Sequence, residues 1–142
     1  MAMLPFCGYN MADYFGHWLK LGASDGAQMP GIFYVNWFRK DDDGKFLWPG
    51  FGENARVLEW IFRRLDGEAD ARETPTGWVP RPEDLDTEGL DLAPDKLETL
   101  LSVDEDGLRE ELEQVREHLA KFGDRLPAQI RSQFEALEGR LK

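Results

Sequence analysis

The sequence predicts an α+β fold that is richer in helix than in strand, with short β-strands or a hairpin, an aromatic core and a C-terminal helical hairpin. Three observations support this. Apolar residues recur at helical spacing in several stretches, and β-branched and aromatic runs are bounded by glycine. All five Trp, all three Tyr and seven of the nine Phe lie at or before Trp78. We therefore expect an aromatic-rich body followed by an acidic helical tail.

The first predicted element is a helix that begins after Asn10. Asn10 is a typical N-cap, and Asp13 stands at the third helical position in a capping-box relation to it. Apolar residues then follow at helical spacing, namely Met11, Tyr14, Phe15, Trp18 and Leu19. Gly22 is the expected end of this helix, and residues 22–31 have the composition of a surface loop.

Residues 32–38 predict a short strand that is buried on both faces, because the run is β-branched and aromatic and follows a glycine. Residues 41–44 (Asp-Asp-Asp-Gly) predict a turn, and residues 45–48 a hairpin partner. A calcium loop of the EF-hand type is excluded here, because Gly52 stands where that pattern requires a glutamate.

A second helix is expected to open at residues 52–54 and to end at Gly67. Its apolar face is predicted to consist of Val57, Leu58, Ile61, Phe62 and Leu65. Residues 74–77 (Thr-Pro-Thr-Gly) predict another turn, and the Pro- and Asp-rich residues 79–95 are expected to wrap the surface. A short turn of helix is predicted near residues 95–101.

The tail has the clearest periodicity in the chain. Apolar residues step by three and four at Leu108, Leu112, Val115, Leu119 and Phe122, and again at Ile130, Phe134, Leu137 and Leu141. Gly123 and Pro127 interrupt the pattern between them. We therefore predict an αα-hairpin whose apolar seams face each other or the aromatic body.

Composition limits the function. The chain is 42% hydrophobic and 32% charged, as expected of a globular protein, and its net charge is −11. Residues 1–78 carry 11 acids and 8 bases, and residues 79–142 carry 17 acids and 9 bases. This charge argues against binding to nucleic acid or to anionic membranes. Cys7 is the only cysteine, so no internal disulfide or zinc site is expected. Residues 1–6 do not resemble a signal peptide. We therefore predict a cytoplasmic location.

The unusual segment is residues 35–54, which places five large aromatic residues within 15 positions among glycines and charges. Such rings on loops suit a flat ligand such as a nucleotide base. The alternative is that these rings are core and that Asn54 is only a helix cap. Arg39 and Lys40 lie next to this segment's rings and could face the phosphates of a nucleotide, but solvation of a strand edge is the favoured role. His17 and His118 lack metal partners at ligand spacing and are expected on the surface or in packing.

Four blocks resemble the C-terminal region of the GTP-dependent phosphoenolpyruvate carboxykinases. They are Phe-Cys-Gly-Tyr-Asn at 6–10, Val-Asn-Trp-Phe-Arg at 35–39, Phe-Leu-Trp-Pro-Gly-Phe-Gly-Glu-Asn at 46–54 and Glu-Thr-Pro at 73–75. The third block is highly specific. The resemblance is close over residues 1–82 and extends over 83–142 in helical character, although Thr76 departs from the family's aliphatic residue. It implies a fragment of a larger α/β catalytic domain.

The resemblance implies a guanine pocket made by Phe38, Phe46, Phe51 and Asn54. Residues 1–82 would form the guanine-recognising part of the nucleotide-binding domain, and residues 83–142 its acidic helical tail. Guanine nucleotide and the remainder of the parent enzyme are the implied partners, and that parent is expected to be monomeric.

The implied reaction of the parent, a decarboxylating lyase of gluconeogenesis, converts oxaloacetate and GTP into phosphoenolpyruvate, GDP and CO2. Mn²⁺ and Mg²⁺ are implied cofactors, with ligands outside this chain, and GTP or GDP is the nucleotide. No catalytic residue is assigned here, because the family's Gly-Lys-Thr loop is absent: the one Gly-Lys pair, at 44–45, is followed by Phe46. The reactive cysteine of the family lies in that loop, so Cys7 is not its counterpart.

Two alternatives stay open on the sequence alone. The chain could be a non-catalytic module that binds a guanine nucleotide or a protein partner. It could also be a structural fragment whose exposed aromatic surface self-associates.

Overall fold

The computed structural model describes residues 6–142. Residues 1–5, on which most of the signal-peptide prediction rests, lie outside the described part. The helices are α1 (Met11–Gly22), α2 (Asn54–Leu65), α3 (Pro94–Leu101), α4 (Glu105–Ala120) and α5 (Ala128–Arg140), and two short strands, β1 (Arg72–Thr74) and β2 (Gly77–Val79), lie between α2 and α3. Within the described residues, none of these helices has both the length and the apolar character needed to cross a bilayer.

The chain divides into two compact units. Gly31–Val103 forms one, and the residues before Gly31 form the other together with Asp104–Lys142. The predicted division at residue 82 is one of function rather than of packing, and it stays a prediction.

The predicted N-cap of α1, Asn10, is confirmed. The side chain of Asn10 accepts a hydrogen bond from the backbone N–H of Ala12 at 2.9 Å, and the helix ends at Gly22 as expected. The carboxylate of Asp13 lies 3.4 Å from the Arg125 guanidinium. Asp13 therefore contributes an ion pair in this unit.

The tail contains the two predicted helices, and side-chain contacts join them in antiparallel orientation. Near the start of α4, Arg109 donates through Nε to the Leu141 carbonyl at 2.7 Å. Seven residues further along α4, Arg116 forms an ion pair with Glu138. Leu112 and Leu141 are the buried members of the tail's periodic apolar positions.

The other unit has a core around α2. It contains two tryptophans, two alanines and two leucines: Trp48, Trp60, Ala69, Ala71, Leu85 and Leu97. This is not the aromatic core that the composition predicts, because the phenylalanines of this unit are exposed. The apolar face predicted for α2 missed Trp60, which is buried, whereas Leu58, Phe62 and Leu65 are exposed. Val57 and Ile61, two of the five predicted positions, are partly buried and pack against the core beside Trp60.

The predicted buried strand at residues 32–38 does not form. This segment is irregular, and Ile32 and Tyr34 are 89% and 94% exposed. A strand satisfies its backbone groups only through a neighbour, and the described residues offer this segment no ladder partner. The predicted hairpin partner at 45–48 is reduced to a single bridge between Lys40 and Phe46.

The sheet of the described residues is the antiparallel pair β1–β2, in which Glu73 faces Trp78. It flanks the turn that the Thr-Pro-Thr-Gly sequence predicts. The hydroxyl of Thr74 closes this turn by donating to the Gly77 carbonyl at 2.6 Å. The turn was therefore predictable from its residues, whereas the two three-residue strands beside it were too short to show a periodic pattern.

Candidate functional site

A tight turn at residues 41–45 organises the segment that carries the first two predicted site residues. The Asp41 carboxylate accepts hydrogen bonds from the backbone N–H groups of Asp43 and Lys45, at 3.1 and 2.9 Å. Gly44 has a φ of 76°, which suits glycine. The Lys45 N–H, followed by the Lys96 ammonium, holds the pKa of the Asp41 carboxyl below its ordinary value of 3.8. This aspartate therefore closes the predicted turn.

Phe38 and Phe46 are brought together at the open end of this turn. Their ring centroids lie 6.0 Å apart with an interplanar angle of 63°, an edge-to-face pair. Both rings are exposed, at 71% and 56%. The ammonium of Lys40 lies 5.1 Å from the centroid of the Phe46 ring. The pair thus presents aromatic surface to solvent, which is costly unless a ligand or another surface covers it.

Asn54 is the first residue of α2, and its side-chain oxygen accepts a hydrogen bond from the indole N–H of Trp48 at 3.0 Å. The cap position of α2 is occupied by Glu53, which makes no side-chain cap bond. The alternative that Asn54 is only a helix cap is therefore not what the structure shows. Trp48 is 3% exposed, so it gives Asn54 a fixed partner.

Phe51, the third predicted ring, opens a short 3-10 turn at Phe51–Glu53 and is 98% exposed. Its neighbour Gly50 has φ 89° and ψ −167°, a conformation essentially restricted to glycine. The N–H of Glu53 donates to the Gly50 carbonyl at 2.9 Å and closes the turn. Local backbone geometry thus turns Phe51 away from the protein interior.

A separate groove of about 1110 Å³ runs through the Gly31–Val103 unit. Its walls include four tryptophans, Trp37, Trp48, Trp60 and Trp78. Phe38, Phe46, Phe51 and Asn54 are not among its lining residues as described, although Trp48 touches both the groove and Asn54. The indole N–H of Trp60 is buried here without a hydrogen-bond partner among the described atoms. No sequence pattern predicts this groove, because its wall depends on how residues 31–37 are placed.

Arg39 does not solvate a strand edge, contrary to the prediction. Its Nη1 donates to the carbonyl oxygens of Leu100 and Ser102, at 3.1 and 2.5 Å. Its Nη2 donates to the Ser102 hydroxyl at 3.1 Å. Sequence reasoning missed this role, since the partners lie more than 60 positions away.

Over the described residues alone, the remaining titratable side chains do not match the ligand sets that bind metals. Among residues 6–142, no group of three or more His, Cys, Asp or Glu side chains is placed to hold a metal ion. His17 and His118 pack edge-on against Trp18 and Phe122, with ring centroids 5.9 and 5.5 Å apart. The packing role predicted for the two histidines agrees with these contacts.

Comparison with known proteins gives consistent matches. The family model described as the phosphoenolpyruvate carboxykinase C-terminal P-loop domain matches residues 1–140. The phosphoenolpyruvate carboxykinases (GTP) of Treponema pallidum strain Nichols and of Chlamydia muridarum are each 56% identical to the chain over 142 residues, 99% of the chain. That of Neocallimastix frontalis is 52% identical over 143 residues. These alignments cover 23–24% of each relative, so the chain spans about a quarter of their length.

Proposed function

Because the chain belongs to the GTP-dependent phosphoenolpyruvate carboxykinase family, as a C-terminal region of that enzyme, we propose that it supplies the guanine-recognising part of such an enzyme. The parent reaction converts oxaloacetate and GTP into phosphoenolpyruvate, GDP and CO2. Residues 1–82 would carry the base-recognition function and residues 83–142 the helical tail of the same domain. The proposed base contacts are Phe38, Phe46, Phe51 and Asn54.

The observation that carries this proposal is the hydrogen bond between Trp48 and Asn54. An indole N–H can only donate, so the Asn54 amide must turn its oxygen towards Trp48. Its NH2 group is then the end available to a ligand. Guanine presents the acceptor O6 where adenine presents a donating amino group. A fixed amide donor at that edge can donate a hydrogen bond to O6 of guanine. With adenine, the amide NH2 would face the amino group of the base, so two donors would oppose each other.

The exposed phenylalanine rings form the second part of the proposed guanine site, its stacking surface. Phe38, Phe46 and Phe51 are all exposed, and they flank the loop that leads to Asn54. Stacking of a base on an aromatic ring contributes about 1–3 kcal/mol and does not depend on which base it is. In this proposal the rings therefore provide affinity, and the Asn54 amide provides selectivity.

The phosphate and metal chemistry belongs to other parts of the parent enzyme. The sequence contains no Gly-Lys-Thr or Gly-Lys-Ser loop. The described residues offer no cluster suited to Mn²⁺ or Mg²⁺, so no step of the reaction is assigned to this chain. Its proposed role is to bind and orient the base, so that phosphates held elsewhere lie in register with the substrate.

A hybrid enzyme tests this function. In it, the chain replaces the matching 142 residues of the Treponema pallidum enzyme, to which it is 56% identical. Formation of phosphoenolpyruvate from oxaloacetate is measured with GTP and with ATP. We expect a clear preference for GTP, and Asn54→Leu should reduce it. A hybrid that used ATP as readily as GTP would overturn the proposal.

A further inference from the structure

The C-terminal end of α3 is bound by two arginine side chains from other parts of its unit. Arg39 donates to the carbonyls of Leu100 and Ser102 at 3.1 and 2.5 Å. Arg72 donates through Nη2 to the Leu101 carbonyl at 3.0 Å. The last carbonyls of a helix lack partners within the helix and carry partial negative charge, so cations bind well there. This end of α3 therefore anchors the two segments that carry Arg39 and Arg72.

A second contact ties the same helix to the turn at residues 41–45. The Lys96 ammonium lies 3.3 Å from Oδ2 of Asp41, whose other oxygen accepts the two N–H groups that close the turn. Helix α3 thus holds residues 35–54, the aromatic segment, at two points. One lies beside Phe38, and the other lies in the turn that precedes Phe46.

The backbone of Arg39 is also linked to the second ring. Its carbonyl accepts a hydrogen bond from the N–H of Leu47 at 2.9 Å, and Leu47 directly follows Phe46. Phe38 directly precedes Arg39. A displacement of Arg39 would therefore move both rings of the edge-to-face pair.

We propose that Arg39 is a positioning residue for base stacking: anchored on the end of α3, it sets the separation and tilt of the Phe38 and Phe46 rings. This inference rests on the proposed guanine-binding function. A direct phosphate-binding role is disfavoured, because both terminal nitrogens of the guanidinium are already engaged by Leu100 and Ser102. Ring placement matters because stacking depends on the distance and offset of the two π systems.

The first test measures ring placement in the 142-residue chain itself. Proton NMR contacts between the Phe38 and Phe46 rings are compared in the parent chain, in Arg39→Gln and in Arg63→Gln. The last variant removes the same charge from α2, outside the aromatic segment. We expect the ring contacts to be lost or broadened only in Arg39→Gln, with the contacts between β1 and β2 retained. Unchanged ring contacts in Arg39→Gln would overturn the inference.

The second test measures nucleotide affinity in the hybrid enzyme. Arg39→Gln should raise KM for GTP about tenfold, since bonds from a charged donor are lost, while kcat at saturating nucleotide changes little. The KM for ATP should rise by a similar factor, because stacking does not depend on the base. Ser102→Ala, which removes one of the three bonds, should act in the same direction with a smaller effect.

The outcomes separate the two proposals. A parent hybrid without preference for GTP contradicts the proposed function. A parent hybrid that prefers GTP, with an Arg39→Gln variant whose KM for GTP is unchanged, contradicts only the positioning role. If the hybrid does not fold, the ring contacts in the isolated chain decide the positioning claim by themselves.

Discussion

Trp48 donates its indole N–H to the side-chain oxygen of Asn54 at 3.0 Å, and this bond determines which end of the Asn54 amide is free. Trp48 lies in the core with Trp60, so packing holds the donor in place. A buried residue thereby orients an amide at the protein surface. The selectivity proposed for this site depends on that orientation.

Replacing Trp48 with phenylalanine should weaken discrimination between guanine and adenine. Without the indole donor, the Asn54 amide can rotate and present either end. The bond is worth about 1 kcal/mol, which corresponds to roughly a fivefold loss of preference. The ratio of kcat/KM for GTP and ATP in the hybrid enzyme measures the change. Trp18→Phe, in α1 of the other unit, is the control, and an equal ratio in both variants would contradict the orienting role.

Replacing Phe51 with alanine should remove nucleotide affinity without destabilising the fold. The ring is 98% exposed, so its truncation uncovers no core, whereas loss of a stacking partner costs about 1–3 kcal/mol of binding. KM for GTP in the hybrid enzyme and the thermal unfolding midpoint are the two measurements. Tyr34→Ala removes an equally exposed ring outside the proposed pocket. A similar rise in KM for Tyr34→Ala would argue for a general effect of surface aromatics.

Gly50→Ala should destabilise the chain, whereas Gly52→Ala should not. A Cβ meets no atom within 4 Å at either position, so packing does not distinguish the two. Gly50 has a φ of 89°, and a side chain in that region costs about 1–3 kcal/mol. Urea unfolding of both variants gives the difference directly. Equal stability of the two would mean that the loop relaxes to another conformation.

Asp41 should make stability depend on pH at the acid end. Its folded-state pKa is lowered, chiefly by the Lys45 N–H and then by Lys96, relative to 3.8. A lowered pKa stabilises the fold at pH values above 3.8, and this contribution is lost as the pH falls through the folded-state value. Asp41→Asn should therefore flatten the decline in unfolding free energy below about pH 4.

The control for Asp41 is the neighbouring exposed position. Asp42→Asn removes one negative charge from the same turn but keeps the Asp41 acceptor of the Lys45 N–H, so it is the charge-matched control. Denaturant unfolding at a series of acidic pH values measures both variants. Parallel profiles for the parent chain and Asp41→Asn would contradict the assignment.

The 142-residue chain alone should not catalyse GTP-dependent conversion of oxaloacetate. No Gly-Lys-Thr loop is present to hold the phosphates, and the described residues lack a metal-binding cluster. Phosphoenolpyruvate formation is assayed with the purified chain and, in parallel, with the hybrid enzyme. Measurable turnover by the isolated chain at a rate above background would show that catalytic groups were missed.

Local sequence signals were sufficient for most helices. As predicted, α1 begins directly after Asn10 and ends at Gly22. The periodic apolar residues of the tail lie in α4 and α5 or close beside them. Such elements are readable because capping and helical periodicity involve residues within four positions of one another. The strand predicted at residues 32–38 failed for the opposite reason, since a strand depends on a partner that local pattern does not reveal.

The sequence by itself determined the family of this protein, the limits of its helices and the identity of the four proposed base contacts. Only the tertiary structure decided that Arg39 binds residues 61 and 63 positions away, and that Asn54 turns its oxygen towards Trp48. The physical reason is the directionality of hydrogen bonds. Residue type states which groups can donate or accept, but the partner is chosen only when the packed core brings distant donors and acceptors within about 3 Å.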